Sequence, residues 1–258
     1  MSDLFDVSGK TALVTGGSRG IGLMIAQGLV RAGARVIISS RKTGDIAAAG
    51  EELATLGDCH AIPGDVSTEE GAAELAEATR ERFEELDILV NNAGASWGAP
   101  LEEFPDEGWE KVLHTNVVGV FNLTVALLPE LRAAADADDP ARVINIGSID
   151  GLRTPPFENY SYSASKAAVH MLTRHLARRL ASEHITVNAI APGPFESKMT
   201  AFMFASEESR QLVEQGVPLG RIGLPDDVAG LTLFLSSRAG AYLTGTTIPL
   251  DGGITGCN

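Results

Sequence analysis

Short apolar runs alternate with longer segments of helical periodicity along almost the whole chain, and this alternation constrains the fold more than any other feature. The runs show no strict apolar–polar alternation, as is typical of parallel strands buried on both faces. We expect strands at residues 11–15, 34–39, 60–63, 86–91, 142–147, 186–191 and 247–250. The pattern predicts helices at 21–32, 43–56, 67–83, 107–135, 163–183 and 225–236, with Pro129 as a point where the fourth could break.

This order of elements predicts an α/β fold. Right-handed crossovers between parallel strands give a doubly wound, Rossmann-like sheet of about seven strands with helices on both faces. No change in composition divides the 258 residues, so we expect a single domain over residues 1–258. Ser67, followed by Glu70, resembles a capping box at the start of the third helix.

Composition excludes several classes of function. The 20 basic and 34 acidic side chains give a formal net charge of −14, which disfavours binding to nucleic acid or to an anionic membrane. Cys59 and Cys257 are too few for a disulfide scaffold, and no His, Cys or Asp grouping has metal-ligand spacing, so we expect no metal. The N-terminus lacks the pattern of a signal peptide, and no apolar run approaches the roughly 18 residues that span a bilayer. We therefore expect a cytoplasmic protein, and we assign no role to its five histidines.

A glycine-rich loop follows the first predicted strand. Residues 15–22 read TGGSRGIG and lead at once into a helical pattern. Glycine allows a tight turn and close approach of the backbone to a pyrophosphate, while a helix N-terminus offers unpaired N–H groups and a positive dipole end. The spacing differs from G-x-G-x-x-G, but the strand–turn–helix context is the one that dinucleotide binding requires, although many such clusters are simple turns. We predict contacts to a dinucleotide from Gly16, Ser18, Arg19, Gly20, Ile21 and Gly22.

The end of the second strand predicts which dinucleotide binds. An acidic residue there would favour NAD by accepting from a ribose 2′-hydroxyl, whereas a basic residue accommodates a 2′-phosphate. The chain has Ser40 and Arg41 at this point and no acid, so we predict NADP(H), with Arg19 as a second cation. Arg41 and Lys42 could instead be ordinary solvated charges.

Two further segments follow predicted strands at the edge where ligands bind in such sheets. We predict that they contact the cofactor through Asp65 and Val66 after the third strand, and through Asn92, Ala93 and Gly94 after the fourth. Each segment could also be a turn in which Asn or Gly tolerates an unusual backbone conformation.

Tyr162 and Lys166 are four residues apart and share one helix face. A free tyrosine has a pKa of about 10; a nearby ammonium, together with the positive nicotinamide of an oxidised cofactor, favours the phenolate and lowers this pKa, so Tyr162 could exchange a proton with a carbonyl oxygen. Ser148, after the fifth strand, could polarise the same oxygen or could cap the following loop. Asn116 lies in an apolar run; it could satisfy a backbone gap, or it could hold a water that links Lys166 to solvent.

Taken together, these residues resemble the single-domain short-chain dehydrogenase/reductase family. The matching features are TGGSRGIG at 15–22, NNAG at 91–94, Asn116, Ser148, YSASK at 162–166 and PGP at 192–194. The resemblance extends to TGTTIPLDGG at 244–253. It implies a catalytic tetrad of Asn116, Ser148, Tyr162 and Lys166. It also implies that Tyr162 and Lys166 contact the cofactor, and that Pro192, Gly193 and Ser197 lie near its nicotinamide.

Within this family the chain is most similar to 3-oxoacyl-(acyl-carrier-protein) reductases, and in particular to the branch described as rhamnolipid-biosynthesis 3-oxoacyl reductases. The phrases SRGIGLMIAQGL, NNAGASWGAPLE and GAYLTGTTIP give this likeness. It implies NADPH-dependent reduction of the β-keto group of an acyl thioester, free or bound to a carrier. The alternatives are a secondary alcohol or steroid dehydrogenase, and a non-catalytic protein that senses NADP(H) or acts as a scaffold.

The region around 194–218 is expected to form a flap over the substrate. It contains five large apolar side chains, which could cover an acyl chain and exclude water or could pack at a subunit interface: Phe195, Met199, Phe202, Met203 and Phe204. Trp97 could line the same cleft.

The predicted partners are an acyl substrate and further copies of the chain. The basic side chains Arg132, Arg174, Arg178 and Arg179 could receive an acidic carrier protein, or could pair with acids across an oligomer interface. The resemblance implies a homo-oligomer, a tetramer or a dimer, in which the helices at 107–135 and 163–183 pair between subunits.

Overall fold

A computed structural model describes residues 2–257 of the chain, and over these residues it contains one fully parallel sheet of seven strands. The strand order is β3-β2-β1-β4-β5-β6-β7. This arrangement confirms the predicted doubly wound α/β class. The strands are β1 (Thr11–Thr15), β2 (Arg35–Ser40), β3 (Cys59–Pro63), β4 (Ile88–Asn91), β5 (Ala141–Ile146), β6 (Ile185–Pro192) and β7 (Thr247–Leu250).

Helices cover both faces of the sheet. They are α1 (Gly20–Arg31), α2 (Thr43–Ala54), α3 (Glu69–Arg80), α4 (Asp106–Leu113), α5 (Gly119–Ala126), α6 (Leu128–Ala134), α7 (Tyr160–Leu180), α8 (Glu207–Gln215) and α9 (Pro225–Ser236). Within residues 2–257 no single helix is long and apolar enough to span a bilayer; a pair bent by 57°, Asp106–Ala126 with Leu128–Ala134, meets that test on length and composition alone.

Alternate residues of each central strand point into two separate cores. In β1, Ala12 and Val14 join the cluster beneath α1, α2 and α9, whereas Leu13 joins the cluster beneath α3, α5 and α7. All residues of β1, β5 and β6 are buried. Burial on both faces explains why these strands read as continuous apolar runs.

The predicted helix at 107–135 is divided in three. A π-helical turn, His114–Val118, separates α4 from α5, and α5 ends before Leu127, with Pro129 in the first turn of α6. The break near Pro129 is therefore present, because proline fits the first turn of a helix and not its interior. The π-helical turn was not predicted, since apolar periodicity carries no signal for one wider turn.

Two other local predictions need correction. Thr68, not Ser67, is the N-cap of α3, and its side chain accepts from the Gly71 N–H at 3.1 Å. The Ser67 hydroxyl instead donates to Asp65 Oδ1 at 2.7 Å. The second difference is α8, a helix that the sequence reading did not assign inside the region 194–218.

Candidate active site

The carboxyl edge of the sheet gathers most of the predicted site residues. Parallel strands end together there: Thr15 of β1 lies opposite Ser39 of β2, and Asn91 of β4 lies opposite Asn145 of β5. The chain reverses its direction of strand addition beside β1, with β2 on one side and β4 on the other. A crevice outside this point is where ligands bind in doubly wound sheets.

Asn92 holds the glycine loop in place through hydrogen bonds to its backbone. Asn92 Nδ2 donates to the carbonyls of Thr15 at 2.8 Å and Gly16 at 3.2 Å. A Cβ at Gly22 would overlap this amide, and Gly16 adopts a φ of +67° that L side chains rarely adopt. The structure therefore requires glycine at both positions for the close packing of loop, strand and helix. Asn92 supports the loop, a contact that sequence reasoning did not predict.

The loop leaves the N-terminus of α1 able to receive an anion. The N-cap of α1 is Arg19, whose side chain makes no capping hydrogen bond in the described structure. Ser18 and Gly20 flank it, half-buried, and Ile21 packs against the core. The first N–H groups of a helix have no partner within that helix, and the glycines place no Cβ at the turn. This end of α1 therefore fits the pyrophosphate of a dinucleotide.

The end of β2 has polar groups that lack partners. The hydroxyls of Ser39 and Ser40 are buried and have no hydrogen-bond partner among residues 2–257. Arg41 is exposed beside them, whereas Arg19 lies 3.4 Å from Asp45. Arg41 also lines a surface cavity of about 280 Å³ together with Ser67, Glu107, Glu110, Lys111, His114 and Thr115. Buried donors without partners beside a cation fit a 2′-phosphate.

The predicted residues after β3 have structural contacts of their own. Asp65 Oδ1 accepts from the Ser67 N–H at 3.0 Å, which forms a turn. Val66 is buried, and its carbonyl lies so close to Gly119 of α5 that a Cβ there would overlap it. A second cavity, of about 470 Å³, lies away from this edge and is lined by residues that include Lys10, Asp87 and Asp139; none of the predicted site residues lines it.

Ser148, Tyr162 and Lys166 are brought together between β5 and α7. Ser148 directly precedes a 3₁₀ turn, Ile149–Gly151, and its side chain is hydrogen-bonded to the Tyr162 hydroxyl. Lys166 is buried one helical turn after Tyr162; its Nζ lies 5.5 Å from the centre of the Tyr162 ring and donates to the Ile146 carbonyl at 2.7 Å. A phenol, a hydroxyl and an ammonium therefore share one cleft.

Burial dominates the acid–base properties of this group. It raises the pKa of Tyr162 to about 12, against the smaller effect of the Ser148 hydrogen bond, which lowers it. Burial also lowers the pKa of Lys166 to about 8. In the protein without cofactor, burial disfavours the phenolate and dominates. The expectation that Lys166 and an oxidised nicotinamide together lower the pKa of Tyr162 concerns the complex with cofactor and stays a prediction. Tyr162 is accordingly a protonated phenol at neutral pH.

Asn116 lies on the π-helical turn, and its amide bonds to three protein groups. Its Oδ1 accepts from the Ala95 N–H at 2.7 Å, and its Nδ2 donates to the Ala95 carbonyl and the Ser165 hydroxyl, both at 2.9 Å. These bonds satisfy the backbone N–H and carbonyl of Ala95; the alternative, that Asn116 also holds a water linking Lys166 to solvent, stays a prediction. Gly94 lies between Asn116 and Lys166, since a Cβ added there would be 3.4 Å from Asn116 Oδ1 and 3.8 Å from Lys166 Nζ. Its neighbour Ala93 donates its N–H to the Thr15 hydroxyl at 3.0 Å.

The segment after β6 reaches the glycine loop. Pro192 ends β6, and a Cβ on Gly193 would lie 2.8 Å from Asp251. Ser197 lies over the loop, so close that a Cβ on Gly20 would be 3.1 Å from the Ser197 Cβ. Thr200, which sequence reasoning did not assign, positions it, with 3.0 Å between their hydroxyl oxygens.

The proposed flap is anchored at one end. Phe195 is buried against Gly223, where any Cβ would overlap its ring, so it belongs to the core and not to a cover. Phe202 is 62% exposed and contacts Phe157, edge to face, with 5.5 Å between ring centres. Met199 is also exposed, whereas Phe204 is covered by Arg210, whose guanidinium carbon lies 5.3 Å from the ring centre.

Trp97, which was predicted to line the same cleft, packs on Gly108 and Lys111 of α4.

The predicted basic patch is partly neutralised within the chain. Glu183 accepts from Arg132 at 2.6 Å and from Arg179 at 2.5 Å. Arg174 and Arg178 make no ion pair within the part of the chain that the structure describes. The pairing with acids is thus internal for two of the four arginines.

Three polar groups near the site were missed: Asn91 and His170 are buried, and Asp150 is partly buried. Asn91 donates to Asn145 Oδ1 at 2.9 Å, which links β4 to β5. Asp150 follows Ser148 by two residues, and burial raises its pKa. His170 is buried against Gly147 and Gly151, and burial lowers its pKa to about 4. The sequence signal was a polar residue within an apolar pattern, as for Asn116.

Known proteins are similar to this chain in fold and sequence over nearly its whole length. The sequence model of a family described as enoyl-(acyl carrier protein) reductase matches residues 16–255. The chain is 51% identical over 253 residues to a Pseudomonas aeruginosa protein described as rhamnolipids biosynthesis 3-oxoacyl-(acyl-carrier-protein) reductase, with 98% of this chain and 99% of that protein covered. A solved structure described as the Pseudomonas aeruginosa RhlG/NADP active-site complex gives a TM-score of 0.96 at 51% identity, covering 99% of this chain and 100% of the other. A 3β-hydroxysteroid dehydrogenase of Eggerthella lenta is 36% identical over 255 residues, covering 97% and 95% of the two chains.

Proposed function

The chain belongs to the short-chain dehydrogenase/reductase family, and on that premise we propose that it uses NADPH to reduce the β-keto group of a 3-oxoacyl thioester to a β-hydroxyl. The single observation that best supports a carbonyl acceptor is the hydrogen-bonded pair of Ser148 and Tyr162 beside a buried Lys166. The 51% identical relative described as a 3-oxoacyl-(acyl-carrier-protein) reductase supports the acyl substrate.

Each catalytic side chain has a distinct proposed role. When bound, the nicotinamide supplies a hydride to the carbonyl carbon. The Ser148 hydroxyl donates a hydrogen bond to the carbonyl oxygen and stabilises the charge that develops there. Tyr162 donates its phenolic proton to the same oxygen. Lys166 holds the ribose and stabilises the phenolate that Tyr162 becomes, while Asn116 fixes the backbone of Ala95 beside them.

The residues for NADP(H) lie along the same edge. The glycine loop and the α1 N-terminus would hold the pyrophosphate, and the Ser40 hydroxyl and Arg41 would hold the 2′-phosphate. Asp65 and Val66 would border the adenine, and the backbone of Ala93 and Gly94, with Pro192, Gly193 and Ser197, would border the nicotinamide half. The solved NADP complex of the 51% identical structure supports this assignment.

The flap at 194–218 would cover the acyl chain within a single domain. Phe202 and Met199 provide exposed apolar surface, and Phe202 packs edge to face on Phe157. Apolar cover of this kind suits an alkyl chain and excludes water during hydride transfer. The cytoplasmic location expected from the sequence stays a prediction.

A steroid or secondary alcohol dehydrogenase is the second candidate, and the 36% identical steroid dehydrogenase favours it. The family description also names enoyl reduction, in which a carbon–carbon double bond accepts the hydride. A substrate panel separates these possibilities: 3-oxoacyl thioesters of increasing chain length, 2-enoyl thioesters and hydroxysteroids, each with NADPH or NADP⁺. We expect turnover of the 3-oxoacyl thioesters; exclusive turnover of another class would refute the proposed substrate, and no turnover of any would favour a sensor.

Tyr162→Phe tests the catalytic acid. Loss of the proton donor is expected to lower kcat by at least about 100-fold with 3-oxoacyl thioesters, because general acid catalysis has this magnitude. Tyr160→Phe is a matched control on the same helix, since the Tyr160 hydroxyl bonds to Glu158 at 3.1 Å and not to Ser148. Near-normal kcat in Tyr162→Phe would show that another group donates the proton.

Arg41→Ala tests the choice of dinucleotide. Removal of a charge-assisted contact is expected to weaken NADPH binding by about ten- to a hundredfold and to leave NADH binding nearly unchanged. Fluorescence titration of both nucleotides measures this, with Arg31→Ala, a basic residue at the far end of α1, as the control. An unchanged Kd for NADPH would transfer the role to Arg19 or Lys42.

A further inference from the structure

Asp150 is a partly buried carboxylate beside the catalytic pair, and the roles assigned above do not use it. The 3₁₀ turn that contains it begins where Ser148 Oγ accepts from the Asp150 N–H at 3.1 Å. Asp150 Oδ2 accepts from Asn159 Nδ2 at 3.2 Å. Asn159 is the N-cap residue of α7, and its Oδ1 lies 3.1 Å from the Ser163 hydroxyl. Backbone and side chain of Asp150 therefore join the Ser148 loop to the start of the helix that bears Tyr162.

Among the charges around Tyr162, Asp150 is the one that opposes its ionisation. Of the other groups on or beside α7, Lys111 lies over Trp97, Glu158 bonds to Tyr160, and Glu183 pairs with Arg132 and Arg179. His114 is exposed and hydrogen-bonds the Glu110 carbonyl, and His170 is uncharged at neutral pH because of burial. Lys166 supplies a positive charge, and Arg153 acts on Asp150 itself. The negative charge of Asp150 raises the pKa of Tyr162 in addition to burial.

We propose that Asp150 is a positioning residue of the reductase, which orients the Ser148 loop through its hydrogen bonds and holds Tyr162 as the neutral phenol that reduction requires. This inference rests on the proposed function. It adds no covalent step: the proton leaves Tyr162 Oη and forms the new O–H bond at the former carbonyl oxygen. A carboxylate that opposes loss of this proton in the resting protein favours the neutral, protonated phenol, which can donate, over a phenolate that cannot.

The first experiment titrates Tyr162 without cofactor or substrate. The chain has three tyrosines, so the difference in phenolate absorbance between wild type and Tyr162→Phe isolates this one. Rapid pH jumps record the absorbance before alkaline unfolding. Asp150→Asn keeps the size and removes the charge, and we expect it to lower the titration midpoint of Tyr162 by about one pH unit. Asp150→Glu keeps the charge and should keep the midpoint near that of wild type.

The second experiment follows the reverse reaction, NADP⁺-dependent oxidation of a 3-hydroxyacyl thioester, as a function of pH. Its rate falls as the pH drops below the pKa of Tyr162 in the NADP⁺ complex, so Asp150→Asn should shift this limb of kcat/KM down by about one unit, a gain of about tenfold at pH values below the limb. Glu74→Gln removes one exposed acid from α3 and is the matched control. Asp150→Ser serves in place of Asp150→Asn if the latter does not fold.

The outcomes are distinct. A shift in the absorbance titration with no turnover of acyl thioesters would refute the proposed function and leave the role of Asp150 intact. Turnover with both midpoints unchanged in Asp150→Asn would overturn the inference, and would show that Asp150 serves only the local hydrogen-bond geometry.

Discussion

His170 shows at the scale of one residue how burial sets charge. Its pKa of about 4 lies below the ordinary 6.5, because burial disfavours the imidazolium and the neighbouring Lys166 repels it. Between these two pH values the unfolded chain binds a proton that the folded protein does not. Stability from the neutral His170 is therefore present above pH 6.5 and is lost as the pH falls toward 4, in total on the order of 3 kcal/mol.

His170→Gln should remove this pH dependence. Relative to the variant, wild type is expected to lose about 2–3 kcal/mol of unfolding free energy between pH 7.5 and pH 4.5, as measured by urea denaturation. His175→Gln, an exposed histidine on the same helix, should follow wild type. Parallel stability curves for wild type and His170→Gln would mean that the imidazole is hydrated or paired in solution.

The same physics explains why the sequence could predict which side chains meet in the cleft, but not the pKa of Tyr162 in the protein without cofactor. Tyr162, Lys166 and Ser148 could be found because their spacing and strand-end positions are visible along the chain. The direction of the Tyr162 pKa shift could not be predicted, because it depends on how completely α7 and the Ser148 loop exclude water. A neighbouring charge is visible in a sequence, but desolvation is a property of the folded cleft.

At the scale of elements, α5 and the turn before it leave an apolar stripe uncovered. Val118, Phe121 and Val125 are 41%, 46% and 44% exposed and are spaced to lie on one helix face. Met171 of α7 is also exposed. Such a stripe on a helix predicted to pair between subunits supports the expected homo-oligomer.

Phe121→Glu should dissociate that assembly, because a carboxylate on each copy would be buried at the interface. We expect sedimentation equilibrium to give a tetramer or dimer for wild type and a lower mass for the variant. Leu56→Glu, which alters an exposed leucine beyond α2, is the control and should not change the mass. A wild-type chain that sediments as a monomer would contradict the prediction.

For the whole molecule, the class of fold could be predicted from the sequence, but the hydrogen bonds that join distant segments could not. Continuous apolar runs such as 11–15 specify strands buried on both faces, and crossover helices between them leave a parallel sheet as the consistent solution. The support of the glycine loop by Asn92 and the link from Asp150 to Asn159 join residues far apart in the chain or in different elements. No local pattern encodes such contacts, so they emerged only from the packed structure.

The π-helical turn at His114–Val118 changes the phase of a helix in addition to placing Asn116. One extra residue in a turn rotates everything that follows by about 100°. Without it, α5 would present a different side to solvent, and the stripe containing Phe121 would swing toward the sheet or around its flank. The same angular offset therefore sets two features at once: the buried Asn116 amide that bonds to Ala95 and Ser165, and the direction in which the apolar stripe with Phe121 faces.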